Sequence, residues 1–204
     1  MMKMLPLLLC AVAPLFAADG SMSPAERAYL LEQLETSKKE MLASIQGLSA
    51  AQWTFKPAPE VWSVQECAEH IILAENYIFG GAQQILKSPA VDRPAISNEE
   101  VDHKIVAGVQ DRSHKVKAPE AIVPSGKFAT PEDAAREFTA RRDKTIAYVT
   151  TTTDALRVHV GPGPAGPMDA YQFLLLLAAH SARHTAQIRE VESNVGYPKT
   201  AQGD

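Results

Sequence analysis

The sequence predicts an all-α chain folded as a four-helix bundle. Three observations carry this reading. Four long segments place apolar residues at three- and four-residue steps, helix-start signals stand in front of them, and alternation of the strand type is nearly lacking. The 204 residues are 46% hydrophobic and 22% charged, ordinary for a globular protein and suited to one domain.

The N-terminus is read apart from that domain. Lys3 precedes an apolar run from Leu5 to Phe16, broken by Pro6 and Pro14 and followed by Ala17 and Ala18. A basic start, a short apolar middle and a small-residue exit identify residues 1–18 as a signal peptide, cut after Ala17 or Ala18. The protein is therefore expected to be exported, to the periplasm or beyond. The run is too short to span a bilayer as a stable helix, so no membrane association is expected after cleavage. Cleavage removes Cys10 and leaves Cys67 alone, which excludes an intrachain disulfide.

The bundle is expected over residues 22–195, with a tail over 196–204. Its first long helix opens at Ser23–Pro24–Ala25–Glu26, a capping box with proline at the first helical position. Leu30, Leu34, Met41, Ile45 and Leu48 follow at near-heptad spacing with one polar gap. A connector with Trp53, Phe55, Pro57, Pro59 and Trp62 comes next. These tryptophans are expected to close one end of the core, or alternatively to wall a pocket.

The second long helix opens at the capping box Ser63–Val64–Gln65–Glu66 and runs to about Leu86, with Gly80 and Gly81 as a point of weakness. The polar stretch from Lys87 to Thr130 is long for a structureless loop. A short helix is expected after Ser97, capped by Ser97 and Glu100. The third long helix opens at Thr130–Pro131–Glu132–Asp133, turns Ala135, Phe138, Ile146 and Val149 inward, and ends at Thr150–Thr153. Gly161–Pro162–Gly163–Pro164–Ala165–Gly166–Pro167 reads as a stiff helix-free connector. Asp169 then caps the fourth long helix, which ends near Ser193.

That last helix carries the chemistry. His180 and His184 lie one turn apart within Phe173, Leu177, His180, His184, Ile188 and Val191, a stripe that steps by three and four and is expected to face the core. Two inward imidazoles need a common partner, and a metal ion satisfies both. On the second long helix, Cys67, His70, Ala74 and Tyr77 share the same stepping. If the two helices are neighbours, His70, His180 and His184 converge inside the bundle as three metal ligands. Three neutral imidazoles leave a coordination position open, as in catalytic zinc sites, and the water expected there would be acidified towards a pKa of about 7. No Glu follows His180, so this is not the HExxH metalloprotease pattern.

Glu66 and Gln187 each lie one turn from a histidine. Either could orient a ligand, or could serve only as capping acid and polar helix residue. Cys67 is expected as a buried small residue rather than a fourth ligand. His103, His114 and His159 are expected at the surface. The formal net charge of −4, with no Lys/Arg run, gives no sign of nucleic-acid binding. A phosphate loop, a dinucleotide fingerprint and a GxSxG elbow are all lacking.

Trp62–Ser63–Val64–Gln65–Glu66 followed by His70, and then His180–Ser181–Ala182–Arg183–His184–Thr185–Ala186–Gln187–Ile188, resemble the DinB-like superfamily with its YfiT-type metal-dependent hydrolases. The segment from Leu31 to Trp62 fits the same pattern. The resemblance implies an antiparallel four-helix bundle with a long crossover connection, often a homodimer. It also implies a three-histidine site at His70, His180 and His184 for zinc, nickel or another divalent ion. The activities implied are metal-assisted hydrolysis or thiol-dependent transfer on a small molecule. Export weakens the thiol reading, since those thiols are chiefly cytosolic. The alternative is a non-catalytic metal-binding or stress-related interaction protein.

Overall fold

Capping chemistry sets the helix starts. In the computed structural model, which describes residues 20–164 and 166–199, the Ser23 hydroxyl accepts from Glu26 N while the Glu26 carboxylate accepts from Ser23 N. The same reciprocal pair operates between Ser63 and Glu66, and between Asp169 and Gln172. Each satisfies backbone donors that the first turn leaves unpaired. The helices are α1 (Pro24–Ile45), α2 (Ala50–Thr54), α3 (Val64–Ile85), α4 (Glu99–Gln110), α5 (Pro131–Thr151) and α6 (Ala170–Glu192). The expected signal peptide over 1–18, Cys10 and the end of the tail from residue 200 lie outside the described residues. Among those described, no helix is long and apolar enough to cross a membrane.

The four long helices, α1, α3, α5 and α6, form an antiparallel bundle with a long crossover. Arg27 of α1 reaches the carbonyls of Val149 and Thr152 at the end of α5, while Lys38 pairs with Asp143, so α1 and α5 run antiparallel. Gly81 of α3 abuts Phe173 of α6 and His70 abuts His180, so that pair is antiparallel too. Glu75–Arg142 and Phe79–Tyr148 show α3 parallel to α5. Two successive parallel helices require the chain to travel back along the bundle between them. The segment from Leu86 to Thr130 does this, carrying α4 along α6 and a short 3-10 helix, Glu120–Ile122, against α3.

Several local expectations are corrected. The cap of α4 is Asn98, whose side chain accepts from Val101 N. Ser97 is instead buried and donates to the Arg157 carbonyl and to Asp169. The Gly/Pro connector forms a hairpin, β1 (Val160–Gly163) with β2 (Gly166–Asp169), in register Val160↔Asp169 and Gly163↔Gly166. Its strand β2 delivers Asp169 to the start of α6. α3 passes unbroken through Gly80 and Gly81, and a Cβ on Gly81 would lie 3.1 Å from the Phe173 ring, so this glycine serves close packing. Helix α2 has its own capping box, Ser49 with Gln52. Phe138 and Val149 are buried as expected, but Ala135 and Ile146 are half-buried. The tail begins docked on α2: Tyr197 stacks edge-on against Phe55, and Gln52 donates to the Pro198 carbonyl at 3.1 Å.

Candidate metal centre

The buried stripe of α6 is Leu174, Ala178, Ser181, Thr185 and Ile188, again at three- and four-residue steps. The expected stripe beside it is inward as well: Leu177, Ile188 and Val191 are buried, and His180 and His184 lie on it with only part of their surface exposed. His70 on α3 is 2% exposed. The three imidazoles converge, with ring centroids 4.9 Å (His70–His180), 4.4 Å (His70–His184) and 4.5 Å (His180–His184) apart. One ligand nitrogen from each lies within 4.8 Å of the others. The centre therefore has a closed side against α3 and a side that reaches solvent.

Two of the rings are oriented from behind. His70 Nδ1 lies 2.7 Å from the Ile122 carbonyl oxygen, and a carbonyl only accepts, so Nδ1 carries the proton. His184 Nδ1 lies 2.9 Å from Gln187 Oε1 and donates to it likewise. Both rings thereby keep Nε2 free for a ligand bond, the usual arrangement behind metal-binding histidines. Gln187 thus contacts the centre as one of its two sequence readings held. Glu66 does not act in that way. Its carboxylate accepts from Ser63 N at 2.7 Å and pairs with Lys56 at 2.8 Å, and the acceptor for His70 is Ile122 instead.

Burial keeps these bases neutral. Desolvation pushes His180 well below the usual imidazole value, assisted by His184, His70 and Arg183. His184 is pushed down to about 3, by burial first and then by His70. His70 is lowered by burial, although the Ile122 carbonyl works in the opposite sense. Neutral imidazole is the form that binds metal. The donor set, three nitrogens with no carboxylate or thiol among the clustered described residues, fits zinc, nickel, copper or iron better than magnesium or calcium.

Trp62 walls the site, its ring 4.8 Å from His70 and 6.0 Å from His184. Trp53 is fully buried and donates to the Phe128 carbonyl, so it closes the core. Cys67 is buried among apolar residues, and desolvation raises its thiol far above the usual value. His103 and His114 are exposed, whereas His159 is half-buried and donates to the Ser88 carbonyl at 2.8 Å. Beside His70, Glu69 is 1% exposed and accepts from Ser125 Oγ, Gly126 N and Lys127 N, anchoring the crossover that carries Ile122. Neither Ile122 nor Glu69 is picked out by the sequence. A carbonyl has no side-chain signature, and an acid next to a histidine on a helix points elsewhere by 100°.

A profile of the DinB superfamily matches residues 33–188. The uncharacterized protein YuaE of Bacillus subtilis (strain 168) is 26% identical over 160 residues, covering 78% of this chain and 94% of its own length. Among solved structures, YfiT from Bacillus subtilis superposes with a TM-score of 0.58 at 17% identity, over 87% of this chain and 92% of that one. YfiT is described as a probable metal-dependent hydrolase with an unusual four-helix bundle topology. At that identity the likeness speaks for the fold. The profile spans all three clustered histidines and most of the chain, and the protein belongs to the DinB superfamily.

Proposed function

We propose that the protein is a metal-dependent hydrolase of a small-molecule substrate, with His70, His180 and His184 holding one divalent ion, zinc or nickel. The observation that carries this reading is the convergence of three neutral imidazole nitrogens within 4.8 Å, on a site that reaches solvent. A divalent ion there supplies Lewis acidity, polarising a carbonyl or lowering the pKa of water towards about 7. The chain's own part is positioning. Ile122 and Gln187 fix two ring orientations, and Trp62 offers an aromatic face to a substrate at the open side.

The test is elemental analysis of native protein, followed by chelation and a hydrolysis screen on ester, amide and phosphoester substrates. One equivalent of metal is expected. Its removal should abolish turnover while the helical circular-dichroism signal persists, and His180→Ala should behave like the chelated protein. Retained turnover in His180→Ala would refute the reading.

Metal binding without turnover is the second reading, and one observation favours it. The carboxylates flanking His70, Glu66 and Glu69, are both committed to other partners, so neither is free as a general base. We place the protein outside the cytoplasm after loss of residues 1–18, which N-terminal sequencing of native protein checks. Export also favours hydrolysis over thiol transfer. A homodimer is the assembly we expect in solution, to be read by light scattering.

A further inference from the structure

We propose that Arg112 is a positioning residue of the metal centre: by donating to Gln187 Oε1 it fixes which way that amide faces, and so holds His184 in the tautomer whose Nε2 is free to bind metal. The inference rests on the three-histidine reading above and adds a residue outside the cluster.

A side-chain amide presents an accepting oxygen and a donating NH2 of nearly the same size. The two have opposite consequences for His184. With the oxygen facing Nδ1, as found at 2.9 Å, Nδ1 carries the proton and Nε2 keeps its lone pair. With the NH2 facing it, Nδ1 must accept, the proton moves to Nε2, and that nitrogen is lost as a ligand. Nothing within α6 selects between these. Arg112 does, because a guanidinium has donors and no acceptor. Its Nη1 lies 3.4 Å from the same Gln187 Oε1. Turning the amide would set NH2 against a cationic donor and against the required tautomer together.

Arg112 is itself held in place. Its Nε and Nη2 make a two-pronged contact with the Glu190 carboxylate at 2.7 and 2.5 Å, and Glu190 lies nearly one turn beyond Gln187 on α6. Such a fork restricts orientation as well as distance. The backbone just before Arg112 is fixed from α6 too. Arg183, between the two histidines, donates to the carbonyls of Val109, Asp111 and His114. The crossover therefore contributes to the centre at two points: the Ile122 carbonyl behind His70 and Arg112 behind Gln187.

The experiment reads the tautomer directly. Long-range proton–nitrogen NMR correlation on metal-free protein at neutral pH shows which ring nitrogen of His184 carries hydrogen. Wild type should show Nδ1–H alone. Arg112→Met should show a substantial Nε2–H population and, by chelator competition, roughly tenfold weaker zinc binding, with thermal melting confirming a folded bundle. Gln187→Glu provides the rescue, since a carboxylate presents oxygen whichever way it turns. The double variant Arg112→Met/Gln187→Glu should regain Nδ1–H and most of the zinc affinity. A pure Nδ1–H signal in Arg112→Met, or failure of the double variant to regain it, would overturn the proposal. A tautomer response without zinc binding by wild type would support the role of Arg112 and count against the metal reading instead.

Discussion

Ile122 and Gln187 perform one task at two histidines, each accepting a hydrogen bond from Nδ1–H so that Nε2 keeps its lone pair free. Glu66, equally close in sequence, has no such part, because its carboxylate closes a capping box and pairs with Lys56. Glu66→Gln should therefore leave zinc affinity within about twofold, against the roughly 10–100-fold loss usual for a true outer partner. It should cost about 0.5–1 kcal/mol of stability through the weakened cap and the lost ion pair. Chelator competition and urea unfolding check the two halves. The three ligands were legible in the sequence because histidine is distinctive and helical spacing is regular. Their supports were less so. Gln187 was visible as a one-turn neighbour, but Ile122 acts through its backbone and Arg112 lies 72 residues from His184 along the chain. Trp62 was open between core and pocket wall, a choice that only its place beside His70 decides.

At the scale of elements, the same chemistry that starts a helix also ties it to the rest. Glu26 caps α1 and, at 15% side-chain exposure, pairs with Arg157 and Arg93. Burial alone would raise its carboxyl, but Ser23 N, Arg157 and Arg93 together hold it below the usual value. A carboxyl lowered on folding stabilises fully above its unfolded pKa, about 4.3, and that contribution fades as pH falls through the folded pKa. Wild type should therefore lose part of its stability as pH falls below about 4.3, and Glu26→Gln should be less stable at pH 7 with a shallower acid limb. Urea midpoints from pH 7 downwards decide it. Helix starts at Ser23, Ser63, Thr130 and Asp169 could be read in the sequence, since a capping residue and its partner are neighbours along the chain. Ser97 has the local signature of a cap but does not act as one, because a distant demand prevails: Asp169 and the Arg157 carbonyl claim its hydroxyl, and Asn98 caps in its place. The hairpin is not legible in the sequence because glycine and proline carry no alternating pattern, and its register emerges only from the strand pairing, as at Gly161↔Met168.

Across the whole molecule, one guanidinium touches all four long helices. Arg142 of α5 is fully buried and uses every donor it has. Nε and Nη2 go to Glu75 of α3, Nη1 to the Leu34 carbonyl and Ser37 hydroxyl of α1, and Nη2 also to Ser181 of α6. Ser37 is the polar gap in the heptad run of α1, so that interruption marks where the helices are registered against one another. A fully satisfied buried pair adds little net stability over apolar packing, yet removing one partner leaves an uncompensated charge. Arg142→Met should destabilise the protein by about 3–5 kcal/mol, and Arg142→Met/Glu75→Leu should recover most of that loss. Equal losses in the single and double variants would show that packing volume, not stranded charge, is responsible. Ser181 directly follows His180, and Glu75 lies five residues beyond His70, so the network adjoins the centre on both helices that build it. If it sets their relative register, the double variant should fold with near-normal urea stability and still bind zinc more weakly. Wild-type zinc affinity in that variant would instead assign registration to the apolar core and to the second buried arginine. That residue, Arg157, ties Glu26 of α1, Asp102 of α4 and Asp169 at the start of α6 together.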